Sequence, residues 1–320
     1  WIVMLIAVWP ALAWCAIQHR GAVLYRVCIA LMVALPAALP WMAEQDESGL
    51  RFLLLLPSLL LMIKTWELAL NKPRKEVFFS GYSSLFYWSV FWPEGHRSSD
   101  VSARQQVRQQ WTKTAMHIVL KGLTVLGLLG LNDALDLHSS LFVSVTWMGF
   151  TMYLSLAAAI DAYRLLSRCF GIEQPDFFNA PPLARNPRDF WGRRWNLWFT
   201  QTTHRLIFQP MGGERRPIFA ASAVFVFSAL MHEYMVMVSL GRFDGRMIAF
   251  FLLHGVATIL FTAFANGLGK NVSLPRPVAV SIHFGWFIAT APLFFGPIDD
   301  IFTLREWSWS ALFSVAMGLI

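Results

Sequence analysis

The chain has 320 residues, of which 56% are apolar even before its 20 glycines are counted, and only 14% are charged. An average soluble domain has about 45–50% apolar residues with glycine included and about 25% charged residues. The mean hydropathy is +0.50. These values exclude a disordered chain and argue against a soluble enzyme, and they predict an all-α polytopic membrane protein.

The net charge of +7 does not indicate a nucleic-acid partner, because the sequence contains no run of five or more Lys and Arg. Basic loops on the cytosolic side of a membrane explain the charge more simply. The three cysteines are Cys15, Cys28 and Cys169, and no two of them form a C-x-x-C pair. We therefore expect neither a disulfide framework nor a metal site.

Long apolar runs without two-residue alternation predict membrane-spanning helices, because lipid offers the backbone no hydrogen-bond partners. The final run has 13 residues, about 20 Å of helix, and the chain starts at Trp1, so we expect both termini to be truncated. Residues 1–320 are expected to form a single integral-membrane domain. We predict eight or nine transmembrane helices, near 1–17, 22–43, 50–70, 114–131, 139–161, 218–240, 247–265, 279–296 and 308–320.

The loops alternate in charge along the chain. Residues 71–113 hold seven Lys and Arg against three acidic residues, and residues 162–217 hold nine Arg against four. The intervening loops are acidic or nearly neutral. The positive-inside rule therefore predicts that the two long basic loops are cytosolic, in endoplasmic reticulum or a bacterial inner membrane. Both loops are longer than a simple connection between two helices. We therefore expect interfacial helices in them, including the aromatic segment 78–88.

A histidine and a glutamate are adjacent deep in one predicted span. His232 is 14 residues beyond the expected start at 218, roughly 21 Å along a helix. Ionisable groups at that depth are expensive and mark functional sites. Neighbours on a helix point about 100° apart. We therefore predict that Ser228, His232, Met235 and Ser239 line a cavity and that Glu233 faces another helix. The alternative is a histidine hydrogen-bonded for packing.

Residues 186–198 have the pattern of a helix start. Asn186 can cap the helix, Pro187 suits its first position, and Asp189 follows three residues after the cap. A continuous helix would carry one polar and one aromatic stripe. The polar stripe is Asp189, Arg193, Asn196, Thr200 and Thr203, and the aromatic stripe is Trp191, Trp195 and Trp198. This arrangement predicts a helix half-sunk at the cytosolic interface that binds an anionic ligand with an apolar tail; a plain amphipathic anchor helix is the alternative.

The remaining intramembrane histidines give weaker signals. His254 and His283 are isolated in apolar spans, and we expect both to be hydrogen-bonded core residues. His232 does not begin an H-E-x-x-H motif, and paired histidine boxes are absent, so the sequence does not indicate a zinc protease or a diiron desaturase. No G-x-S-x-G, G-x-G-x-x-G or Walker motif occurs either.

Two motifs in a fixed order resemble one family. The octet 189–196, with sequence DFWGRRWN, is followed 36 positions after its last residue by the His232-Glu233 pair at the end of SALMHE. Together with Pro175 and the pair at 181–182, they resemble the wax synthase branch of the membrane-bound O-acyltransferases (MBOAT). The motifs cover residues 175–240; elsewhere the match consists of hydropathy and length.

The resemblance implies a single acyltransferase domain that moves an acyl group from acyl-CoA, a co-substrate, to the hydroxyl of a lipophilic alcohol. It implies no permanently bound cofactor and no metal. The intramembrane histidine of the family corresponds to His232 and its second functional position to Asn196. The acyl-CoA-handling positions correspond to Trp191, Arg193, Arg194, Trp195 and, beside the catalytic histidine, Glu233. From its place in the sequence, Glu233 is also expected to brace its surroundings.

The residue chemistry agrees with this activity. A neutral imidazole can take the hydroxyl proton as the alcohol attacks a thioester, which contributes about 10²–10⁴-fold to the rate. CoA is anionic and suits an arginine-rich cytosolic loop. Wax ester formation leads the hypotheses, with sterol or secondary-metabolite acylation as the alternative. A transporter with a buried His-Glu proton relay is the hypothesis from another class, a catalytically inactive lipid-binding scaffold is a third, and a homodimer is left open.

Overall fold

A computed structural model describes residues 2–19, 21–70, 96–97, 101–135, 141–170, 172–266 and 274–303. In these ranges the regular structure is helical apart from two strands of two residues each, β1 (His96–Arg97) and β2 (Ile172–Glu173), which pair antiparallel. The all-α prediction is therefore confirmed.

The α-helices of the described ranges differ widely in length. In chain order they are α1 (Ile2–Gln18), α2 (Val23–Ala38), α3 (Ser48–Ala69), α4 (Val101–Gln109), α5 (Trp111–Leu135), α6 (Leu141–Cys169), α7 (Pro187–Arg193), α8 (Leu197–Thr203), α9 (Pro217–Leu240), α10 (Arg246–Asn266) and α11 (Arg276–Phe302). Short 3₁₀ turns cover Leu39–Met42, Pro181–Leu183 and Gly213–Arg215, and a π-helical turn covers His204–Phe208.

Seven stretches of the described chain are long and apolar enough to cross a membrane. They coincide with seven of the predicted spans, which confirms a polytopic integral membrane protein. Helix α1, at 17 residues, is shorter than these seven. The predicted span 308–320 and the aromatic segment 78–88 lie outside the described residues. The seven stretches are Val23–Met42, Ser48–Ala69, Trp111–Asn132, Val143–Cys169, Pro217–Leu240, Arg246–Phe264 and Arg276–Phe302.

Helix α6 extends eight residues past the end that hydropathy predicts, because its charged residues are paired. Asp161 Oδ2 accepts a 2.6 Å hydrogen bond from Lys121 Nζ on α5. Further along, the Arg168 guanidinium donates to the backbone oxygen of Gln110 and to the hydroxyl of Thr114. Paired charges lose much of the penalty for leaving water, so the helix continues where composition alone predicts a loop.

The chain divides into two compact units by its internal contacts, one containing residues 1–95 and 234–243 and the other containing 96–233 and 244–320. In the first unit, α1, α2 and α3 pack around a core that includes Trp9, Met32 and Leu61. The Trp9 indole N–H donates to the Thr65 hydroxyl at 3.1 Å and ties α1 to α3.

In the second unit, α5 packs along α6, and α10 packs against α11 and the short helix α7. Helix α11 also contacts α6 and the 3₁₀ turn Pro181–Leu183. The part of α9 up to Glu233 belongs to this unit. Both sequence motifs therefore fall in the second unit, and the contacts that build the candidate site lie within it.

Candidate active site

The predicted single helix over residues 187–203 is wrong, because the chain turns at Asn196. Helix α7 ends at Arg193 and α8 begins at Leu197, and Asn196 has left-handed backbone angles (φ 42°, ψ 60°). Asparagine tolerates this conformation better than most residues. The two predicted stripes consequently do not run along one helix.

Each of the two short helices, α7 and α8, is capped at its N-terminus by an asparagine side chain. Asn186 accepts the N–H of Asp189 at 2.8 Å, and Pro187 occupies the first position of α7, which confirms the predicted helix start. Asn196 Oδ1 accepts the N–H of Phe199 at 3.2 Å and caps α8. Asn196 thus has a visible structural role, whereas its catalytic role stays a prediction.

The two adjacent arginines of the motif have different environments. The Arg194 guanidinium binds Asp189 at 2.8 Å and donates to the backbone oxygens of Asn179 and Ala180 at 3.1 and 3.3 Å. Arg193 is exposed, and no ion pair of its guanidinium occurs among the described residues. Arg194 therefore stabilises the loop that contains Asn179 and Ala180. The exposed guanidinium of Arg193 is available to bind an anionic ligand.

His232 is oriented by its own helix. Its Nδ1 lies 2.8 Å from the backbone oxygen of Ser228. A carbonyl oxygen only accepts, so Nδ1 carries the hydrogen, and in the neutral ring Nε2 carries a lone pair. The side chain is partly exposed, and among the described residues Nε2 has no hydrogen-bond partner. In this geometry Nε2 of His232 can accept a proton.

The face of α9 that was predicted to line a cavity is only partly as expected. Ser228 is buried, and its carbonyl oxygen is occupied by His232. Met235 packs in a cluster with Leu55 and Val238, and the Ser239 hydroxyl donates to the Met235 carbonyl oxygen. Met235 and Ser239 are therefore buried positions with packing and hydrogen-bond partners of their own.

Glu233 points away from His232, as helix geometry predicts, and binds the turn that connects α9 to α10. Its Oε1 accepts the backbone N–H groups of Asp244 and Gly245, both at 2.7 Å. The residue is 4% exposed. Arg246, the next residue, binds Asp244 and Asp300. In this position Glu233 supports the start of α10; its predicted contact with acyl-CoA stays a prediction.

Aromatic rings connect the upstream motif to His232. The ring centroid of Phe251, on α10, lies 4.2 Å from that of His232 and 5.6 Å from that of Trp191. Trp195 lies in a different environment, stacked on Phe190 at 5.6 Å and close to Phe178 at 5.0 Å. The structure therefore brings Trp191 near the predicted base, whereas the described ring contacts of Trp195 are with other aromatic residues, among them Phe190 and Phe178.

A buried hydrogen-bond chain crosses this aromatic region and was not predicted. The Trp191 indole N–H donates to His254 Nδ1 at 3.1 Å. Nδ1 must therefore accept, and Nε2 donates to the Thr290 hydroxyl at 2.9 Å, which in turn donates to a backbone oxygen of α11. His254 is fully buried and bonded at both nitrogens, which confirms the expected core role.

His283 was also expected to be a hydrogen-bonded core residue, and this prediction is wrong for the described residues. It is 6% exposed, yet among the described residues neither ring nitrogen has a hydrogen-bond partner. Its nearest ring neighbour is Phe190, at a centroid distance of 5.7 Å. Sequence spacing could not have separated His283 from His254, because the partners of His254 lie 63 and 36 positions away in the chain.

Variants of Asn196 should separate its structural role from a role in the reaction. Asn196→Ala removes the cap, worth about 1 kcal/mol. It also replaces asparagine, which tolerates the left-handed conformation, with alanine, for which that conformation costs about 1–2 kcal/mol. Asn196→Asp keeps both the cap and the backbone preference. We expect a lower melting temperature for the alanine variant and a near-native one for the aspartate variant.

The contrast between activity and stability then decides the role of Asn196. If its amide group takes part in the reaction, Asn196→Asp unfolds like the wild type but transfers acyl groups at least tenfold more slowly. An alanine variant as stable as the wild type would contradict the capping role.

The segment that contains the site is similar to known proteins. The sequence model of the membrane bound O-acyl transferase family matches residues 174–253, the segment that contains both motifs and the turn held by Glu233. An acyl-CoA–sterol O-acyltransferase of Arabidopsis thaliana is 31% identical over 157 residues, covering 46% of this chain and 44% of that protein. A long-chain-alcohol O-fatty-acyltransferase of Simmondsia chinensis is 29% identical over 161 residues, covering 46% and 45%.

A peptidoglycan O-acetyltransferase of Helicobacter pylori is 28% identical over 171 residues, covering 50% of this chain and 30% of that protein. The aligned parts thus span less than half of each of these relatives. The fold and site define a polytopic helical membrane protein with an oriented intramembrane histidine. Within that class, residues 174–253 are similar to the membrane-bound O-acyltransferase family, and the relatives at about 30% identity include long-chain-alcohol O-fatty-acyltransferases.

Proposed function

We propose that the protein is an acyl-CoA-dependent O-acyltransferase that esterifies a lipophilic alcohol, with His232 as the general base. The observation that carries the proposal is the bond from His232 Nδ1 to the Ser228 carbonyl oxygen. It leaves Nε2 as the proton acceptor on a partly exposed ring within an apolar helix. The family match and the acyltransferases among the relatives support the reaction class.

The residues suit a direct transfer. Nε2 takes the hydroxyl proton while the alcohol oxygen attacks the thioester carbonyl carbon. The carbon–oxygen bond forms, the carbon–sulfur bond breaks, and the imidazolium returns the proton to the leaving thiolate, so the products are an ester and CoA. The rings of Phe251 and Phe294 beside His232 limit access of water, which would otherwise hydrolyse the thioester.

The acceptor we propose is a long-chain alcohol. A sterol is the second candidate, because a sterol acyltransferase is among the relatives at similar identity. The test is CoA release by the purified full-length protein given palmitoyl-CoA and, in turn, a long-chain alcohol, a sterol and a diacylglycerol. Release that depends on one acceptor assigns the class. Release with none of them contradicts the proposal and favours the proton-relay transporter or inactive-scaffold hypotheses.

The two motif arginines provide a matched pair for testing acyl-CoA binding. We expect Arg193→Ala to raise KM for palmitoyl-CoA about tenfold without lowering the melting temperature, because an exposed guanidinium would lose a charged hydrogen bond to the ligand. Arg194→Ala should lower the melting temperature, because Asp189 loses its partner. If Arg193→Ala leaves KM unchanged, this residue does not bind CoA.

The side of the membrane can be tested independently. We propose that the basic segment 162–217 is cytosolic, where acyl-CoA is found. Arg215 is exposed, and a cysteine placed there should react with a membrane-impermeant thiol reagent only when the reagent reaches the cytosolic face. Labelling only from the opposite face would show that the orientation is the reverse of the one proposed. The exposed Cys169 should be replaced before the experiment, because it would react with the same reagent.

A further inference from the structure

An apolar cavity lies between α6 and α11, apart from the residues around His232. Phe190, Trp195 and the turn that starts at Pro181 close one end, and Ile288 and Ala291 of α11 form part of its wall. Among the described residues of this wall, His283 is the one histidine. A shallower depression shares Ile288 and adds the exposed residue Val143, so the apolar lining continues outward between the two helices.

The cavity contains a polar group that needs a partner. Both nitrogens of His283 are buried and have no hydrogen-bond partner among the described residues. Buried polar groups in native proteins are almost always bonded to protein, water or ligand, since an unpaired one costs on the order of 1–3 kcal/mol. His254, in contrast, is bonded at both nitrogens.

The lining defines which kind of molecule could form a hydrogen bond with His283. Among the described residues that line the cavity, none is Lys, Arg, Asp or Glu, so an anionic or cationic head group would be buried without a counter-charge from them. The wall is predominantly aliphatic and aromatic and suits a hydrocarbon chain. A hydroxyl both donates and accepts, as an imidazole does. The chemistry that fits is a neutral lipid with one hydroxyl group.

We propose that this cavity binds a long-chain alcohol whose hydroxyl group is hydrogen-bonded to His283. Ring contacts connect the cavity to the candidate active site: Phe190 contacts both His283 and Trp191, at 5.7 and 4.9 Å, and Trp191 contacts Phe251 beside His232. The cavity is therefore a holding site for the acceptor, connected to His232 through the rings of Phe190, Trp191 and Phe251. This role rests on the proposed function, whereas the binding itself does not.

Equilibrium binding of radiolabelled 1-hexadecanol to the purified full-length protein, without acyl-CoA, tests the site directly. We expect saturable binding that unlabelled 1-hexadecanol displaces, with hexadecane at least tenfold weaker as a competitor. His283→Phe should weaken binding about tenfold, and His283→Gln, which keeps donor and acceptor atoms, should stay within about threefold of the wild type. His117→Phe, an exposed histidine on α5, is the matched control and should bind normally.

A second variant keeps the test valid if His283→Phe does not fold. Ile288→Trp fills the cavity from a partly exposed position, and it should abolish binding while the melting temperature stays near that of the wild type. Unchanged affinity in either folded variant overturns the site. Equal competition by hexadecane and 1-hexadecanol also overturns it, because a water molecule would then be the partner of His283.

The outcomes separate the two proposals. Saturable alcohol binding in a protein that transfers no acyl group supports the cavity and contradicts the proposed function. Acyl transfer to 1-hexadecanol with an unchanged KM for the alcohol in His283→Phe supports the function and overturns the holding site. If both proposals hold, His283→Phe raises KM for the alcohol about tenfold and leaves kcat within about twofold.

Discussion

Replacing His232 with alanine is expected to lower kcat for acyl transfer by about 10²–10⁴-fold, the usual contribution of a positioned general base. The variant loses Nε2, which has no other hydrogen-bond partner among the described residues and so is available to the alcohol. Folding should change little, because the substitution removes one hydrogen bond to a carbonyl of the same helix and two ring contacts, with Phe251 and Phe294. CoA release at saturating substrates measures the effect.

The control for this result is His117→Ala, which removes an exposed histidine from another membrane helix and should retain full activity. Melting curves in detergent should be nearly the same for the wild type and both variants. Activity of His232→Ala within about threefold of the wild type would rule out His232 as the base, and the reaction would then require another proton acceptor.

Replacing Glu233 with alanine is expected to have the largest effect on stability. It leaves the N–H groups of Asp244 and Gly245, two half-buried residues of the turn, without their acceptor. Each unsatisfied buried donor costs about 1–3 kcal/mol. The turn starts α10, which carries Phe251 and His254, so activity should fall together with stability. Glu233→Gln keeps an acceptor oxygen and should lose less, since a charged acceptor forms bonds about twice as strong as a neutral one.

Thermal unfolding and membrane abundance of the two variants measure this effect. The expected order of stability is wild type, Glu233→Gln, then Glu233→Ala. A Glu233→Ala variant that melts with the wild type would show that the turn does not depend on this carboxylate. Full activity and abundance of Glu233→Gln would show that its charge is dispensable. The pattern differs from that of His232→Ala, which should lose activity alone.

The transmembrane helices were predictable because an apolar run of sufficient length has few other stable structures. Their ends were less predictable. Helix α6 continues through Asp161, Arg164 and Arg168 because these charges find partners, among them Lys121, 40 residues away. Hydropathy averages a window of neighbouring residues and therefore cannot detect a partner on another helix.

The site was predictable in its residues more than in its geometry. The start of α7 at Asn186 and Pro187 follows from local capping and is confirmed. The turn at Asn196 was missed because hydrogen bonds from a distant loop hold it, including the one from Leu197 N–H to the Phe177 carbonyl oxygen. Likewise, nothing in the sequence distinguishes the bonded His254 from the unbonded His283.

Formation of the ester product tests the central proposal most directly. The purified full-length protein would be given palmitoyl-CoA with an isotope-labelled palmitoyl group, together with either 1-hexadecanol or a sterol, and the products measured by mass spectrometry. We predict labelled ester and free CoA in equal amounts, dependent on the alcohol and lost in His232→Ala. Labelled free palmitate without ester from either acceptor, or equal ester formation by His232→Ala, would contradict the account.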